Sequence, residues 1–412
     1  MGLEKGAPMA SRESSKLSRA LLEKGVVVHA PGSTVFEDIV PAQIEAGVEI
    51  FPGCVVRGAR TWIGAGSKLG HSGGGLYEDV TVGRGVELYG GVFKDAVFLD
   101  GVTVRGNAEM RGGTLMEEGC EVAHHVGFKM TITMPNVVVG SLVNFCDALV
   151  AGGTGRKDHT EVGSCLALYN FTPWGDKFAS LFGDVPSGVF LRSRRIFVGG
   201  QTQIVSPVKV GYGALIPAGC AVRRSVPAGR MVGASTLDVD TVFDQDLYGG
   251  LTPKFSLTRE YVGNLRALLS WYRSVRVAFA GDDLLGMACC RAAVRQIEAG
   301  IAERVKRLDK IVARLPRSLE KHRSLVSAGQ DAQLHGRRAA EHEAVIDAWP
   351  GWRGKMLKTS PDLAGLLGAR EQMVEAAGLG RGYVEAVRGL SEGAVEAGVD
   401  ALSMVVSDTV EG

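Results

Sequence analysis

From Val198 onward an aliphatic side chain recurs at every sixth position, Val198, Ile204, Val210, Ile216 and Val222, with small or turn-forming residues between them. The same beat runs upstream through Phe98, Val104, Met110, Met116 and Val122. Shorter stretches keep it with slips between them: Ile44, Ile50 and Val56, then Ile63 and Leu69, then Val82 and Leu88. An amphipathic helix repeats at three and four residues and a half-buried strand at two, so a period of six belongs to neither. It fits a triangular coil of three short strands, each side giving one aliphatic to the axis. The pattern predicts a mainly β fold, a left-handed parallel β-helix of hexapeptide repeats that stacks roughly ten coils about 4.8 Å apart.

The two ends read differently. Ser11 to Lys24 has the spacing of a short helix with Leu17, Leu21 and Leu22 on one side, a lid for a stack whose terminal strands would otherwise offer free backbone groups. After Ser235-Thr236-Leu237 helical spacing takes over. Leu257, Tyr261, Leu265, Leu268 and Tyr272 share a face, and Val294, Ile297, Ile301, Val305, Leu308, Val312 and Leu315 follow a three-four alternation. Pro316 is expected to stop that helix, and Leu319 to Trp349 to run back against it as one antiparallel partner. The expected organisation is a capping helix over 1–25, a β-helix with loop insertions over 26–240 and an α-helical C-terminal domain over 241–412.

Composition narrows the function classes. Glycine supplies 57 of 412 residues, weighted toward the first 240, as the tight corners of a coil require. A net charge of +1 gives no general attraction to nucleic acid or to an anionic membrane. Seven cysteines with no C-x-x-C pair read as free thiols in a reducing compartment. Met1 to Glu23 has no unbroken apolar core of a signal peptide, and no stretch approaches the roughly 20 apolar residues of a membrane span. The expectation is a soluble, cytoplasmic protein.

Regular coils need no long loops, so the interruptions at Gly70–Gly75 and from Asn170 to Arg195 point toward a site. The densest reactive cluster lies beside the second: Asn144-Phe145-Cys146-Asp147, then Gly152 to Gly163, containing Arg156-Lys157-Asp158-His159 and Glu161. Histidine titrates near neutrality, so His159 can take a proton from an attacking amine or hydroxyl. Asp158 or Glu161 could orient its ring, and Arg156 and Lys157 could hold phosphate oxygens. Such a site suits acyl transfer onto a sugar phosphate or nucleotide sugar; a corner histidine among solvated neighbours is the plain alternative. Gly152 to Arg156 fails as a phosphate loop, because no Gly-Lys-Ser/Thr opens a helix there. No βαβ unit is visible to support nucleotide-dependent redox chemistry. His124 and His125, with His71 and His159, raise a trimeric zinc hydrolase of the γ-carbonic anhydrase type. That family expects a third histidine five residues past the second, where this chain has Ser164 after His159, and no metal site is assigned.

The run from Val198-Gly199-Gly200 to Pro217-Ala218-Gly219 resembles the acetyltransferase half of the bifunctional enzyme that makes UDP-N-acetylglucosamine. Asn144-Phe145-Cys146-Asp147, Arg156-Lys157-Asp158-His159, Asn170-Phe171-Thr172-Pro173 and Tyr261-Val262-Gly263-Asn264-Leu265 resemble a bacterial family labelled UDP-N-acetylglucosamine pyrophosphorylase-related. The second likeness spans most of the chain and the first only the coils. A true pyrophosphorylase carries a separate nucleotide-binding α/β domain, so the shared coils do not imply shared uridylyl transfer. The related family has a histidine after Asn-Phe-Thr-Pro, where this chain has Trp174.

The resemblance implies a homotrimeric hexapeptide-class acyltransferase that takes its acyl group from acetyl-CoA or another acyl-CoA and passes it to a phosphorylated or nucleotide-linked sugar. The expected catalytic residues are His159, Asp158 and Glu161. Asn144, Asp147, Arg156, Lys157, Asn170, Trp174 and Lys177 are expected to bind substrate, and backbone amides at Gly199 and Gly200 to stabilise the oxyanion along the acyl-CoA groove. The rival expectation is a non-catalytic sugar-nucleotide-binding or scaffold protein, with the stack as a rigid post and the helical tail as a docking surface for a protein partner. Trp174 favours it, since an aromatic face stacks but transfers no proton.

Overall fold

The computed structural model describes residues 9–233, 244, 246–359 and 363–411. The expected boundary at 240/241, the end of the beat at Ser235-Thr236-Leu237 and the first eight residues lie outside the described residues.

Every paired strand of the N-terminal part is parallel to its neighbour, and the strands fall on three faces of a prism. The first face stacks ten two-residue strands, from Val27–Val28 through Glu121–Val122 and Glu161–Val162 to Leu215–Ile216. The second runs from Val35–Glu37 to Ala221–Val222, and the third from Trp62–Ile63 to Lys209–Val210. Two longer strands, Gly127–Thr133 and Asn144–Val150, bend from the second face onto the third through Met130 and Asp147, whose φ angles are 50° and 62°. This is the parallel β-helix that the six-residue beat predicts. Every residue of that beat points to the axis, from Ile44 at 0 % exposure to Val222 at 2 %. Each such side chain withdrawn from water contributes on the order of 1.5–3 kcal/mol before the entropy of ordering is counted. Phe128, Phe145 and Phe182 stack along the axis with ring centroids 5.8 and 5.9 Å apart.

Helix α1 (Met9–Glu23) closes the first coil. Leu21 is buried, Leu17 packs against the core, and Ser14 Oγ accepts a hydrogen bond from the backbone N–H of Phe36 at 2.9 Å. Leu22 is instead 45 % exposed, so the expected apolar trio splits: the face that meets the coil is Ser14, Leu17, Ser18 and Leu21.

The expected departure over 170–195 is two excursions, because Ser180–Phe182 returns to the third face between them and the short helix α2 (Val185–Gly188) follows. The glycine-rich corner at 70–75 has a packing origin. A Cβ on Gly70, at φ 81°, would lie 2.3 Å from Cys54 Sγ, and one on Gly74 2.1 Å from the carbonyl oxygen of Gly53.

The tail comprises α3 (Thr252–Trp271), a π-helical turn at Tyr272–Arg276, α4 (Val277–Ala280), α5 (Leu284–Val312), α6 (Leu315–Ser327), α7 (Ala332–Leu357), α8 (Leu367–Gly378), α9 (Tyr383–Arg388) and α10 (Glu392–Val410). Helix α5 stops at Val312, as the position of Pro316 requires, but the return run is two helices. Gly329, at φ 73°, ends α6, and the Asp331 carboxylate caps the N terminus of α7 by accepting from Leu334 N–H. The tail lies on the third face. The outward-facing Val97, Leu115, Ile132, Leu149 and Leu181 are all buried in one apolar core with α3 and α5. The first and second faces carry no such cover from the described tail.

All seven cysteines are free thiols; Cys54, Cys120, Cys289 and Cys290 are buried and Cys165 is exposed. No described helix is long and apolar enough to cross a membrane.

Candidate functional site

The expected site residues fall on three edges of the prism. His159 sits where the third face turns into the first, at the end of an excursion from Ala151 to Thr160. Gly152 and Gly153 are there for close packing: a Cβ on either would lie 1.9 Å from a carbonyl oxygen, of Pro135 and Asp158 respectively. The excursion closes as a tight loop, with Thr154 N–H donating to Asp158 O at 2.8 Å and Thr154 Oγ1 to Asp158 Oδ2 at 3.0 Å. His159 Nδ1 is 2.9 Å from the carbonyl oxygen of Arg156. A carbonyl only accepts, so Nδ1 carries the proton and a neutral ring presents the Nε2 lone pair outward. Glu161 Oε2 is 3.9 Å from that Nε2.

Two expected roles shift in this geometry. Asp158 braces the loop and lies 3.5 Å from Arg195 Nε, while the ring is fixed by the Arg156 carbonyl. The Arg156 guanidinium is tied to Glu121 and donates to Gly119 O at 3.0 Å, which clasps the loop to the coil below. Lys157 is exposed beside them.

Asp147, Asn170, Trp174 and Lys177 gather on a different edge, between the second and third faces and under the tail. Asp147, 4 % exposed, accepts from Asn170 Nδ2 and pairs with the equally buried Arg304 of α5. Arg304 also donates to the carbonyl of Lys177 at 3.2 Å. Trp174 Nε1 donates to Asp244 O at 3.2 Å, Arg314 donates to Trp174 O at 3.0 Å, and Lys254 lies 5.8 Å from the indole ring. The Trp174 loop is therefore docked on the tail. Asn144 points outward from the second face and is exposed.

Gly199 and Gly200 occupy the third edge, between the first and second faces. Gly199 N–H already donates to Ile216 O at 2.8 Å, and a Cβ there would lie 2.3 Å from Ala218 N, so close coil stacking explains the glycine. His124 and His125 lie on this edge too, their Nδ1 atoms 2.9 Å apart, away from His159. Among the described residues no three His, Cys, Asp or Glu side chains converge as a metal ion would require.

The first face carries a depression of its own. A shallow trough of about 180 Å³ crosses it at the height of His159, lined by Arg105, Glu121, Val138, Glu161 and Ser164 among others. Glu161 stands at the His159 end, while Gly163 and Ser164 touch Gly199 and Gly200 at the other. A larger cavity of about 540 Å³ lies lower on the His159 edge, between Arg84, Asp100 and Glu118 of three successive corners and the tail residues Arg276, Cys289 and Tyr383. No sequence signal marks it, because its wall residues are brought together only by the docking of the tail.

No protein-family model matches the chain. Among curated proteins, the bifunctional protein GlmU of Lawsonia intracellularis is 28 % identical over 208 residues, which is 50 % of this chain and 41 % of that protein. GlmU of Streptococcus equi subsp. zooepidemicus is 26 % identical over 216 residues, covering 52 % of this chain and 42 % of its own length. The chain thus spans about two fifths of the length of these relatives. Among solved structures, UDP-N-acetylglucosamine acyltransferase from Campylobacter jejuni aligns with 65 % of this chain and 93 % of its own at 15 % identity and a TM-score of 0.27. LpxA from Acinetobacter baumannii aligns with 67 % and 95 % at 15 % identity and a TM-score of 0.21. Over half of its length the chain is similar in sequence to the GlmU proteins, which bears out the resemblance read from its hexapeptide beat.

Proposed function

We propose that this chain is an acyltransferase of the hexapeptide-repeat class, moving an acyl group from acyl-CoA to an amine or hydroxyl of a phosphorylated or nucleotide-linked sugar. The observation that carries this reading is His159, with Nδ1 tied to a backbone carbonyl and Nε2 3.9 Å from Glu161, which lines the trough on the uncovered first face. The ring takes the acceptor's proton through Nε2 as the acceptor attacks the thioester carbonyl, the C–S bond breaks, and CoA leaves as the thiol with that proton. Glu161, 3.9 Å away, stabilises the imidazolium formed on the way. Arg156, committed to Glu121, holds the loop, and Lys157 is the cation free to meet substrate phosphate among the described residues of that loop.

His159 and Gly200 stand on opposite edges of one face, and the Gly199 N–H is committed to Ile216 O, so a single chain does not bring the base to the Gly200 amide. A second copy seated on the first face would bring its own edge toward His159, which supports a homotrimer with shared sites. The test is release of CoA from acetyl-CoA in the presence of UDP-sugars, followed by chromatography. His159→Ala should lower turnover by about 10²–10⁴-fold, the range for a general base, with the melting temperature unchanged. Equal turnover in the two proteins ends the assignment.

The scaffold reading keeps one observation in its favour: the Trp174 loop is docked on the tail and is not held against the His159 trough. Calorimetry separates the two, since the enzyme should bind both acetyl-CoA and a UDP-sugar and the scaffold at most the sugar.

A further inference from the structure

We infer that the cavity between the His159 edge of the prism and the helical tail is a binding site for an organic cation, a ligand with primary ammonium groups on an aliphatic stem. At about 540 Å³ it has the size of a small-molecule site. Its charge is unbalanced. Arg84 bonds both Glu45 and Asp283, and Arg276 bonds both Glu117 and Glu118, so each guanidinium serves two carboxylates. Asp100 and Asp282 also line the space; Asp100 accepts from the Arg84 N–H at 2.7 Å and feels that guanidinium, which Glu45 and Asp283 already hold. Arg381 at the mouth sits 3.8 Å from Glu385 and adds little net charge.

A second feature is independent of the acids. The thiols of Cys289 and Cys290, 7 % and 6 % exposed, line the same cavity and donate to no described residue. A buried neutral thiol packs as a small apolar group. Burial pushes both thiols up, Cys290 to about 11, so they stay neutral and offer a soft wall for an alkyl stem rather than a second charge. The site already shows how it receives a cation. The Arg276 guanidinium lies 3.5 Å from the Tyr383 ring centroid and 4.8 Å from that of Tyr272, with carboxylates at its end. The π-helical turn at Tyr272–Arg276 aims both residues at the cavity, and such turns recur at functional sites. Desolvation first, then the charges of Glu118 and Asp283, raise the Asp100 carboxyl above its ordinary value, a strain that a bound ammonium relieves.

The test is calorimetric titration of the full chain with spermidine, alongside alkylation of Cys289 and Cys290 by iodoacetamide followed by mass spectrometry. Wild type should bind spermidine, Asp100→Asn should bind at least tenfold more weakly, and spermidine should slow alkylation of both cysteines in the wild type. Asparagine keeps the acceptor that Asp100 Oδ1 offers to the Arg84 N–H at 2.7 Å, so the corner is retained. No binding by wild type, equal binding by the variant, or alkylation indifferent to spermidine overturns the proposal. None of these outcomes depends on acyl transfer.

Discussion

Glu117 is a buried carboxyl whose ionisation the fold resists. It is 1 % exposed and accepts from Tyr272 Oη at 2.6 Å, with Arg276 at 3.2 Å. Burial comes first among its influences, and the charge of Glu118 adds to it. The pull of Arg276 offsets only part, and the carboxyl is raised to about 7 from an ordinary 4.5. Arg276 is held charged by the two glutamates although burial opposes it. A carboxyl whose folded value is raised binds its proton more tightly in the folded chain than in the unfolded one. Its contribution is complete below about 4.5 and is lost as pH rises through about 7. Glu117→Gln keeps an acceptor for Tyr272 and cannot ionise. The melting temperature of wild type should therefore decline between pH 5 and pH 8 relative to the variant. Parallel melting curves across that range would show that Glu117 ionises as freely folded as unfolded.

The excursion holding Asn170 and Trp174 is anchored at its base by one buried pair. Asp147 sits in the left-handed region at the bend of a long strand, and Arg304 reaches it from α5. Removing one partner of a buried pair leaves a desolvated charge, at a cost of about 3–5 kcal/mol. Arg304→Ala should lower the urea midpoint accordingly, and adding Asp147→Asn should recover part of the loss. Additive destabilisation in the double variant would show that the two side chains do not act as a pair. This excursion also marks the limit of what could be read in advance. The beat was legible because the inward positions are aliphatic or aromatic almost throughout, Thr133 between Met116 and Val150 being an exception, and the tail because α3 and α5 keep helical spacing. The placing of loops on edges was not. The rise from Leu69 to Leu88 takes 19 residues, from Leu88 to Val104 takes 16 and from Val104 to Val122 takes 18. Small slips accumulate, and the sequence distance between two loops does not say which edge each leaves from. Residues that look contiguous between Asn144 and Gly200 thus divide among three edges. Leu22 was misplaced for a related reason: the cap meets the coil through Ser14 and Ser18, which a hydrophobic pattern does not count.

For the whole molecule, the tail decides which surfaces can meet another copy. With Val97, Leu115, Ile132, Leu149 and Leu181 buried under the chain's own helices, the third face is closed to a partner prism. The first face is graded along its length. Its lower coils point Glu49, Lys68 and Glu87 outward, and its upper coils Val138, Glu161, Phe197 and Leu215, with Met231 68 % exposed in parallel register beside Leu215. Val138 and Phe197 flank Glu161 at the height of His159, where the shared site would have to form. A charge there should break assembly and transfer together. If the proposed trimer forms through this face, Phe197→Glu is expected to give monomers in sedimentation velocity and to abolish CoA release. Val92→Glu on the second face, where Val92 is 36 % exposed, should change neither. The aliphatic Val198 beside Phe197 keeps filling the axis in both proteins, so a loss confined to Phe197→Glu reports on the surface and not on the core. A fully active monomer, in wild type or in Phe197→Glu, would place the whole acceptor and donor site within one chain and remove the need for a neighbour's edge.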